Sequence, residues 1–333
     1  MSEGTIVLTG ANGTLGLAYV AETLKYYPNY HLVLTVRNDK KTDINTSKLY
    51  TILSRFPVAK YSIHTLDLAS LDSVSSFASH LTLQVSSGAL RPITVIICNA
   101  FAWSLISGIK LTSDGYELSF QVNYLAHFVL VLQLLKSMDK MRGRVVGLSS
   151  DSHRPGGSHA EVFPPVLPND FEALLKPPAD EPGKEVGKGF QRYGVSKLCV
   201  IMFIYELNRR LQWDSTYEEL RAIKALAVDP GTITDSRALV RDVPGTWSLG
   251  TKYVLNPLRP LLKYAMPELR SSSIAGKILV ELSLKEAYGG KHMPSYYEGL
   301  MPTKSSRESY HQAKAAKLWD FSVALMHRVL LDE

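Results

Sequence analysis

With 333 residues, 45% hydrophobic and 20% charged, the chain has the composition of a soluble globular protein, long enough for one large domain or two small ones. Its net charge of +6 is mild and its Lys/Arg and Asp/Glu are interspersed, which argues against nucleic acid as a partner. Cys98 and Cys199 lie in apolar runs and read as buried free thiols of a reducing compartment, with neither a disulfide framework nor a metal site. The N-terminus lacks the pattern expected of a signal peptide, and no apolar run is expected to reach the ~18 residues that span a bilayer. The default expectation is a cytoplasmic monomer or homodimer acting on a small molecule, without peripheral membrane contact.

Thr5 to Thr9 is a β-branched run that predicts a buried strand. The loop Gly10-Ala11-Asn12-Gly13-Thr14-Leu15-Gly16 follows, and Leu17 to Leu24 predicts a helix. A glycine turn between strand and helix lets the backbone approach a pyrophosphate, while the helix end offers N–H groups and the positive end of its dipole. His31 to Val36 predicts a second strand, ending at Arg37 with Lys40 and Lys41 just beyond. In a dinucleotide fold an acidic residue here binds ribose hydroxyls, whereas an arginine accommodates a 2′-phosphate, so Arg37 favours NADP(H). Lys60 to Leu66 predicts a third strand closed by Asp67-Leu68, and Ser70 to about Leu83 a helix. Pro92 to Cys98 is a nearly continuous apolar strand ending in Asn99-Ala100. The periodic stretch Thr112 to Asp139 predicts one helix with Asn123 in its middle, and Arg144 to Ser150 a fifth strand ending in two serines. Alternating strands and helices predict an α/β fold, a Rossmann-type doubly wound parallel sheet of about seven strands in a single domain.

Asp151 to Gly189 is proline-rich and predicts a long irregular insertion, helical only near Phe171–Leu175. Its ends flank the strand-end serines and the helix carrying Tyr193, so it is expected to be a flap over the substrate mouth or an arm to a second subunit. On that helix, Tyr193 and Lys197 share a face one turn apart. A fixed positive charge beside a phenol favours the phenolate, which suits the pair to carbonyl/alcohol proton transfer. Ile223 to Val228 predicts a sixth strand, followed by Asp229-Pro230-Gly231-Thr232-Ile233-Thr234. Residues 236–268 read as irregular, with prolines among Trp247, Tyr253, Leu258 and Tyr264, and a substrate-covering region is expected over about 232–270. Ser272–Leu284 predicts a helix, Lys291–Tyr297 a short strand and His311–Leu325 a terminal helix.

Taken together, the glycine loop, Asp67-Leu68, Asn99-Ala100, Asn123, the paired serines, Tyr193 with Lys197, and Pro230-Gly231 resemble the short-chain dehydrogenase/reductase family in identity and order. The segments LDLASLDSV, DGYELSFQVNYLAHF and AKLWDFS are most similar to its retinol-dehydrogenase-like and protochlorophyllide-reductase-like branches. The resemblance implies Tyr193 as general acid/base and Lys197 as the group that tunes it and binds the nicotinamide ribose. It implies Ser150 as the residue polarising the substrate carbonyl, and Asn123 as the holder of a relay water. It also implies cofactor contacts from Gly10, Asn12, Gly13, Thr14, Leu15, Gly16, Arg37, Asp67, Leu68, Asn99, Ala100, Tyr193, Lys197, Pro230, Gly231, Thr232 and Thr234.

Four departures stand out. Thr14 replaces a common glycine, Phe101 replaces the glycine that often follows Asn-Ala, and Asp235 stands where a threonine is usual, leaving Thr232, Thr234 or Ser236 to meet the cofactor. Ser150 and Tyr193 are also unusually far apart in sequence. His127 is expected to pack rather than react and His153 to be solvated, while Trp103 is open between pocket and packing. The expected function is NADPH-dependent carbonyl/alcohol interconversion on a lipophilic or aromatic molecule. An extended-type epimerase or dehydratase acting on a nucleotide sugar, and a non-catalytic NADP(H) sensor, are the alternatives.

Overall fold

The computed structural model describes residues 3–262, 266, 268–288 and 295–331, with side chains to 328. Strands form where β-branched and apolar residues run together. β1 (Thr5–Leu8) and β4 (Ile93–Cys98) are buried along their whole length, as parallel strands covered on both faces must be. With β2 (His31–Val36), β3 (Lys60–Thr65), β5 (Arg144–Leu148) and β6 (Lys224–Asp229) they build the parallel core of the sheet. β7 (Thr232–Ile233) and β8 (Leu269–Arg270) pair separately, while β9 (Tyr296–Glu298) and β10 (Met301–Pro302) extend the main sheet. That sheet has eight strands in the order β10-β9-β6-β5-β4-β1-β2-β3, parallel except for β10. The expected seven are exceeded by β10, an edge strand whose Pro302 tolerates the position because the edge needs no ladder donor there.

Alternation along the strands divides the core. Val7, Val33 and Ile96 face one apolar cluster, while Ile6, Leu8, Val95 and Ile97 face the other. The second is covered by α1 (Thr14–Tyr26), α2 (Ile44–Leu53) and, from late in the chain, Ser272–Leu284. The first is covered by α3 (Leu71–Ser86), by α4 (Leu118–Phe120) continued through a π turn (Gln121–Leu125) into α5 (Ala126–Leu134), and by α7 (Glu185–Trp213). The short α6 (Glu172–Leu175) adds its leucines there, and α11 (Gln312–Leu331) closes that face. Between them in sequence come α8 (Gly245–Gly250), α9 (Asn256–Leu262) and the already described Ser272–Leu284, hereafter α10. Strand order reverses between β1 and β4, and the crevice beyond their C-terminal ends is where such sheets bind ligands.

Several elements differ from expectation. The helix expected from Thr112 begins only at Leu118, because Leu111 bridges Glu117 and the Glu117 carboxylate caps the Phe120 N–H at 2.7 Å. The run Leu118–Ser137 is long and apolar enough by composition to cross a membrane, contrary to expectation, but 83% of its apolar window is buried as a core helix. α2 was not expected: its small and β-branched residues are weak helix formers, and Asp43 starts it by accepting from the Asn45 and Thr46 N–H groups at 3.0 and 2.8 Å.

Residues 245–262, expected to be irregular, form α8, a π turn (Thr251–Leu255) and α9. Pro257 and Pro260 lie inside this continuous run and each removes a backbone donor, Pro257 directly after the π turn, whose Thr251 carbonyl accepts from the Asn256 N–H. Residues 151–189 are better anchored than their composition suggests. Leu167, Leu174 and Leu175 are buried, Arg192 pairs with Asp180 at 2.6 Å, and α7 starts as early as Glu185. The expected strand at Lys291–Tyr297 corresponds to β9; positions 291–294, with Lys263 and Tyr264, lie outside the described residues.

Candidate active site

Three chain segments meet at the C-terminal end of β5. β5 leads directly into Ser149 and Ser150, α7 crosses behind it, and the π turn Gln121–Leu125 packs against α7. Lys197 Nζ donates to the Leu148 carbonyl at 2.8 Å and lies 5.6 Å from the Tyr193 ring centroid. The Ser149 hydroxyl donates back to the Lys197 carbonyl at 3.3 Å, so this serine ties strand to helix. Ser150, near enough to the Tyr193 phenol to lower its pKa, donates its proton to Asp151 at 2.8 Å. Asn123 sits in the π turn, a local widening that often marks functional positions. Its side chain forms a backbone-like pair with Ala102, accepting at 2.7 Å and donating at 3.0 Å, and donates to Ser196 Oγ at 2.9 Å. Asn123 therefore fixes the loop after Asn99-Ala100 to α7.

Burial dominates the electrostatics. It raises the Tyr193 phenol well above its ordinary value; Ser150 opposes the rise, and the charges of Asp151 and Asp229 add to it. The lysine is itself pulled down to about 7 by burial, with Asp229 and Cys98 opposing. Asp229 is pushed up to about 6 by burial and by Asp151, while the Gly231 N–H, Arg270 and Arg154 pull it down.

Two histidines that sequence alone left at the margin are fully integrated. His153 is completely buried: its Nδ1–H donates to the Ser150 carbonyl at 2.6 Å and its Nε2 accepts the Ser306 N–H at 3.0 Å. His127 Nδ1–H donates to the Asn123 carbonyl at 3.1 Å and Nε2 accepts from Thr9 at 2.9 Å. Thr9 Oγ1 in turn accepts from the Asn99 and Ala100 N–H groups at 2.9 and 3.0 Å. A second proton on either ring would lose an acceptor and strand a charge, and both are pulled from 6.5 down to about 4, chiefly by burial. Unfolded histidines take protons that these refuse, so their contribution to stability is fully present above pH 6.5 and is lost as pH falls through about 4. The thermal midpoint of the protein should fall over that window and fall less steeply in His153→Gln. A wild-type midpoint flat between these values would contradict the neutral assignment.

The dinucleotide-type groove lies one crossover away. Gly10 turns at φ +65°, in the left-handed region, and a side chain there would meet Ala100 at 3.0 Å. Gly13 is the N-cap of α1 without a side-chain cap, so first-turn N–H groups remain for an anion. Thr14 and Gly16 lie in that first turn, and Leu15 is buried beneath it. Asn12 donates to Thr46 at 2.9 Å. Arg37, exposed, follows β2 beside the loop. Asp67 accepts the Ala69 N–H at 3.0 Å and Leu68 is core. Asn99 donates to the Thr9 carbonyl at 2.8 Å, with Ala100 next to it.

Across the sheet, the Pro230 carbonyl accepts from Arg270 at 3.0 Å and Gly231 turns at φ +81°. Thr232 opens β7, and the fully buried Thr234 accepts from Arg259 at 3.4 Å, leaving Thr232 the more accessible of the two hydroxyls. Arg237 was not foreseen, because no local pattern links it to the loop. It donates to the Asn12 carbonyl at 2.7 Å and from its N–H to Thr14 Oγ1 at 3.3 Å. These residues fit a dinucleotide with an added phosphate: a tight turn, an uncapped helix start and Arg237 meet there, and the exposed Arg37 follows β2.

Aromatic rings cover the phenol. Trp103, Phe101 and Phe190 stand 5.2, 6.0 and 6.0 Å from the Tyr193 ring, and Trp247 stands 6.5 Å from Phe190. Trp103 Nε1 donates to the Arg241 carbonyl at 3.0 Å, and Asp242 accepts the Leu105 N–H at 3.0 Å, so the segment before α8 clasps this wall.

A family model described as short chain dehydrogenase matches residues 4–163, and one described as AcuH dehydrogenase domain matches residues 239–326. The short-chain dehydrogenase iccH of Talaromyces variabilis is 32% identical over 96% of this chain and 95% of its own length. The chain belongs to the short-chain dehydrogenase/reductase family. A WW domain-containing oxidoreductase of Gallus gallus is 30% identical over 99% of this chain and 70% of its own length. The crystal structure of the angucycline C-6 ketoreductase LanV with bound NADP shares the fold at TM-score 0.59, with 17% identity over 90% of this chain and 94% of that one. As a short-chain dehydrogenase/reductase the chain brings Ser150, Tyr193 and Lys197 together despite the long insertion, since residues 151–184 leave and return on one side of β5 and α7. Asp151, Asp229 and Arg237 joined the site unannounced; an acidic residue beside Ser150 and another before Pro230-Gly231 were the available signals.

Proposed function

We propose that this protein is an NADP(H)-dependent oxidoreductase that interconverts a carbonyl and an alcohol on a flat, lipophilic or aromatic small molecule. The observation that carries the reading is the junction of Ser150 with Tyr193, one turn from Lys197, beneath a wall of Trp103, Phe101 and Phe190. When bound, the nicotinamide supplies or accepts hydride. The protein's own groups do the rest. Tyr193 gives a proton to, or takes one from, the substrate oxygen, and Ser150 hydrogen-bonds that oxygen. Lys197 holds the nicotinamide ribose and supplies the positive charge that makes the phenol a better acid, against the burial that opposes it. Asn123 keeps the Phe101–Trp103 loop and α7 in register.

The aromatic wall favours a planar substrate, since rings meet rings in edge or offset contacts; LanV, an angucycline C-6 ketoreductase, points the same way. Arg37, Arg237 and the α1 N-terminus would hold the phosphates. Incubation with NADPH and a panel of aromatic and aliphatic ketones, followed by the absorbance of reduced cofactor, tests the reading; cofactor binding without oxidation across the panel would overturn it. Arg37→Ala is expected to weaken NADPH binding roughly tenfold or more, the cost of a charge-assisted bond to phosphate, with NADH affinity almost unchanged. Equal loss for both cofactors, measured by fluorescence titration, would remove Arg37 from the phosphate site.

A further inference from the structure

Irregular by composition, residues 245–262 offer no continuous face in the sequence. Folded, they run as one helical stretch through α8, the π turn Thr251–Leu255 and α9. Residues four apart share a side of such a stretch. Trp247, Thr251, Leu255 and Arg259 form its inner side: Trp247 stands 6.5 Å from Phe190, Thr251 is buried, and Arg259 donates to the Thr234 hydroxyl at 3.4 Å. Leu249, Tyr253, Pro257 and Leu261 repeat at the same interval two positions on, so they form the opposite side. Leu249, Tyr253 and Leu261 there are 59%, 62% and 70% exposed, and Leu258 beside them is 44% exposed. A surface helix ordinarily turns apolar side chains inward and polar ones outward. This one presents large apolar side chains on its solvent side, the mark of a docking face.

Charge selects the occupant. From Val243 to Pro267 the sequence holds Lys252, Arg259 and Lys263 and neither Asp nor Glu. Lys252 is exposed and lies 5.1 Å from the Tyr253 ring centroid, so cation and aromatic ring share the outer side. Arg241, also exposed, stands just before the stretch. The flanking acids are engaged elsewhere: Asp242 accepts the Leu105 N–H and the Ser107 hydroxyl, and Glu268 interacts with Arg270. A second copy laid face to face here would set cations against cations with no acid between them. An anionic bilayer offers what this face lacks, phosphate and carboxylate groups for the cations and acyl chains for the leucines. A tyrosine ring, apolar with a polar tip, suits the boundary between the two.

We propose that the outer face of residues 245–262 docks on an anionic lipid bilayer, contrary to the absence of membrane contact expected from the sequence. Leu249, Tyr253, Leu258 and Leu261 enter the boundary between headgroups and acyl chains, and Lys252 and Arg241 pair with the anionic headgroups. The helix lies in the interface and does not cross it. Its inner side reaches Tyr193 through Trp247 and Phe190, so docking places the aromatic wall of the site one helix away from lipid. The attachment is independent of the reaction assigned to that site, and its test uses no substrate.

The whole chain is sedimented with phosphatidylcholine vesicles and with vesicles in which about a third of the lipid is phosphatidylserine. Binding should be several-fold stronger to the second. It should weaken without vanishing as salt is raised, because salt screens the charges and leaves the apolar contacts. Leu261→Glu and Tyr253→Glu should each lower the affinity for the anionic vesicles roughly tenfold or more, since each replaces buried apolar area by a like charge. Leu83→Glu, at a leucine of α3 that is as exposed as Leu261, should bind like wild type. All three side chains are exposed, so thermal melts should match wild type; if Leu261→Glu or Tyr253→Glu does not fold, Leu249→Glu carries the same comparison. No binding, equal binding to both vesicle types, or Leu261→Glu and Tyr253→Glu proteins that bind like Leu83→Glu would overturn the proposal. So would a dimer, seen by light scattering, that Leu261→Glu dissociates while vesicles bind neither form, for the face would then join two copies.

Discussion

Replacing Tyr193 by phenylalanine is expected to lower turnover by a factor on the order of 10² or more while leaving NADPH affinity near normal. The ring's packing survives the change, because its contacts with Trp103, Phe101 and Phe190 at 5.2, 6.0 and 6.0 Å are made by carbon. What disappears is one buried hydroxyl. Ser150 keeps Asp151 as its hydrogen-bond acceptor, so the loss leaves no buried donor stranded. The fold should therefore melt at or slightly above the wild-type temperature, which separates lost chemistry from lost structure. Turnover like wild type would show that the phenol is not the acid/base. A parallel loss of NADPH binding would make Tyr193 a cofactor-positioning group instead.

The parts of the fold that could be read directly are those where one segment states its own environment. β1, β2, β4, β5 and β6 are mostly apolar runs because both faces of a parallel sheet are covered, and each leads into residues at the crevice. α2 escaped because its helix depends on a cap from Asp43 and on burial of Leu49 and Leu53, neither visible in its composition. The break in the helix carrying Asn123 escaped because a π turn has no sequence period of its own; its register is held by Ala102 and His127. His127 was expected only to pack, and it both packs and bonds. His153, expected in solvent, is buried because Ser306, which no local pattern connects to it, supplies the N–H that its second nitrogen needs. Arg237 reaches the glycine loop only through the return of the chain after β7. Local chemistry was thus legible at Tyr193, Lys197 and Ser150, while the residues that fix their charge and orientation are contributed by distant segments.

One of those fixings is a glycine, and it gives a prediction whose sign is unusual. Gly194 lies within α7 immediately after Tyr193, at a point where a β-carbon would sit 2.5 Å from the Ser152 carbonyl oxygen and 3.0 Å from Pro165 Cβ. In a free helix, Gly→Ala stabilises by roughly 0.5–1 kcal/mol, because alanine loses less backbone entropy. Here the obstacle is backbone, and it belongs to the turn that follows Ser150, so α7 must tilt away from β5 to admit a methyl group. Overpacking of this kind costs about 1–3 kcal/mol, which exceeds the propensity gain. The tilt also opens the contacts that set the site, Lys197 to the Leu148 carbonyl at 2.8 Å and Ser149 to the Lys197 carbonyl at 3.3 Å, and it moves Tyr193 off Ser150. A displacement near 1 Å at a reacting group costs on the order of 10² in rate. Gly194→Ala is therefore expected to unfold at lower denaturant than wild type and to lose roughly 10²-fold in turnover, with NADPH affinity reduced much less because the glycine loop of α1 is untouched. Chemical denaturation, steady-state kinetics and cofactor titration on the same preparation decide it. A Gly194→Ala protein that is more stable than wild type and equally active would mean that α7 does not press against the Ser150 turn as tightly as these distances require.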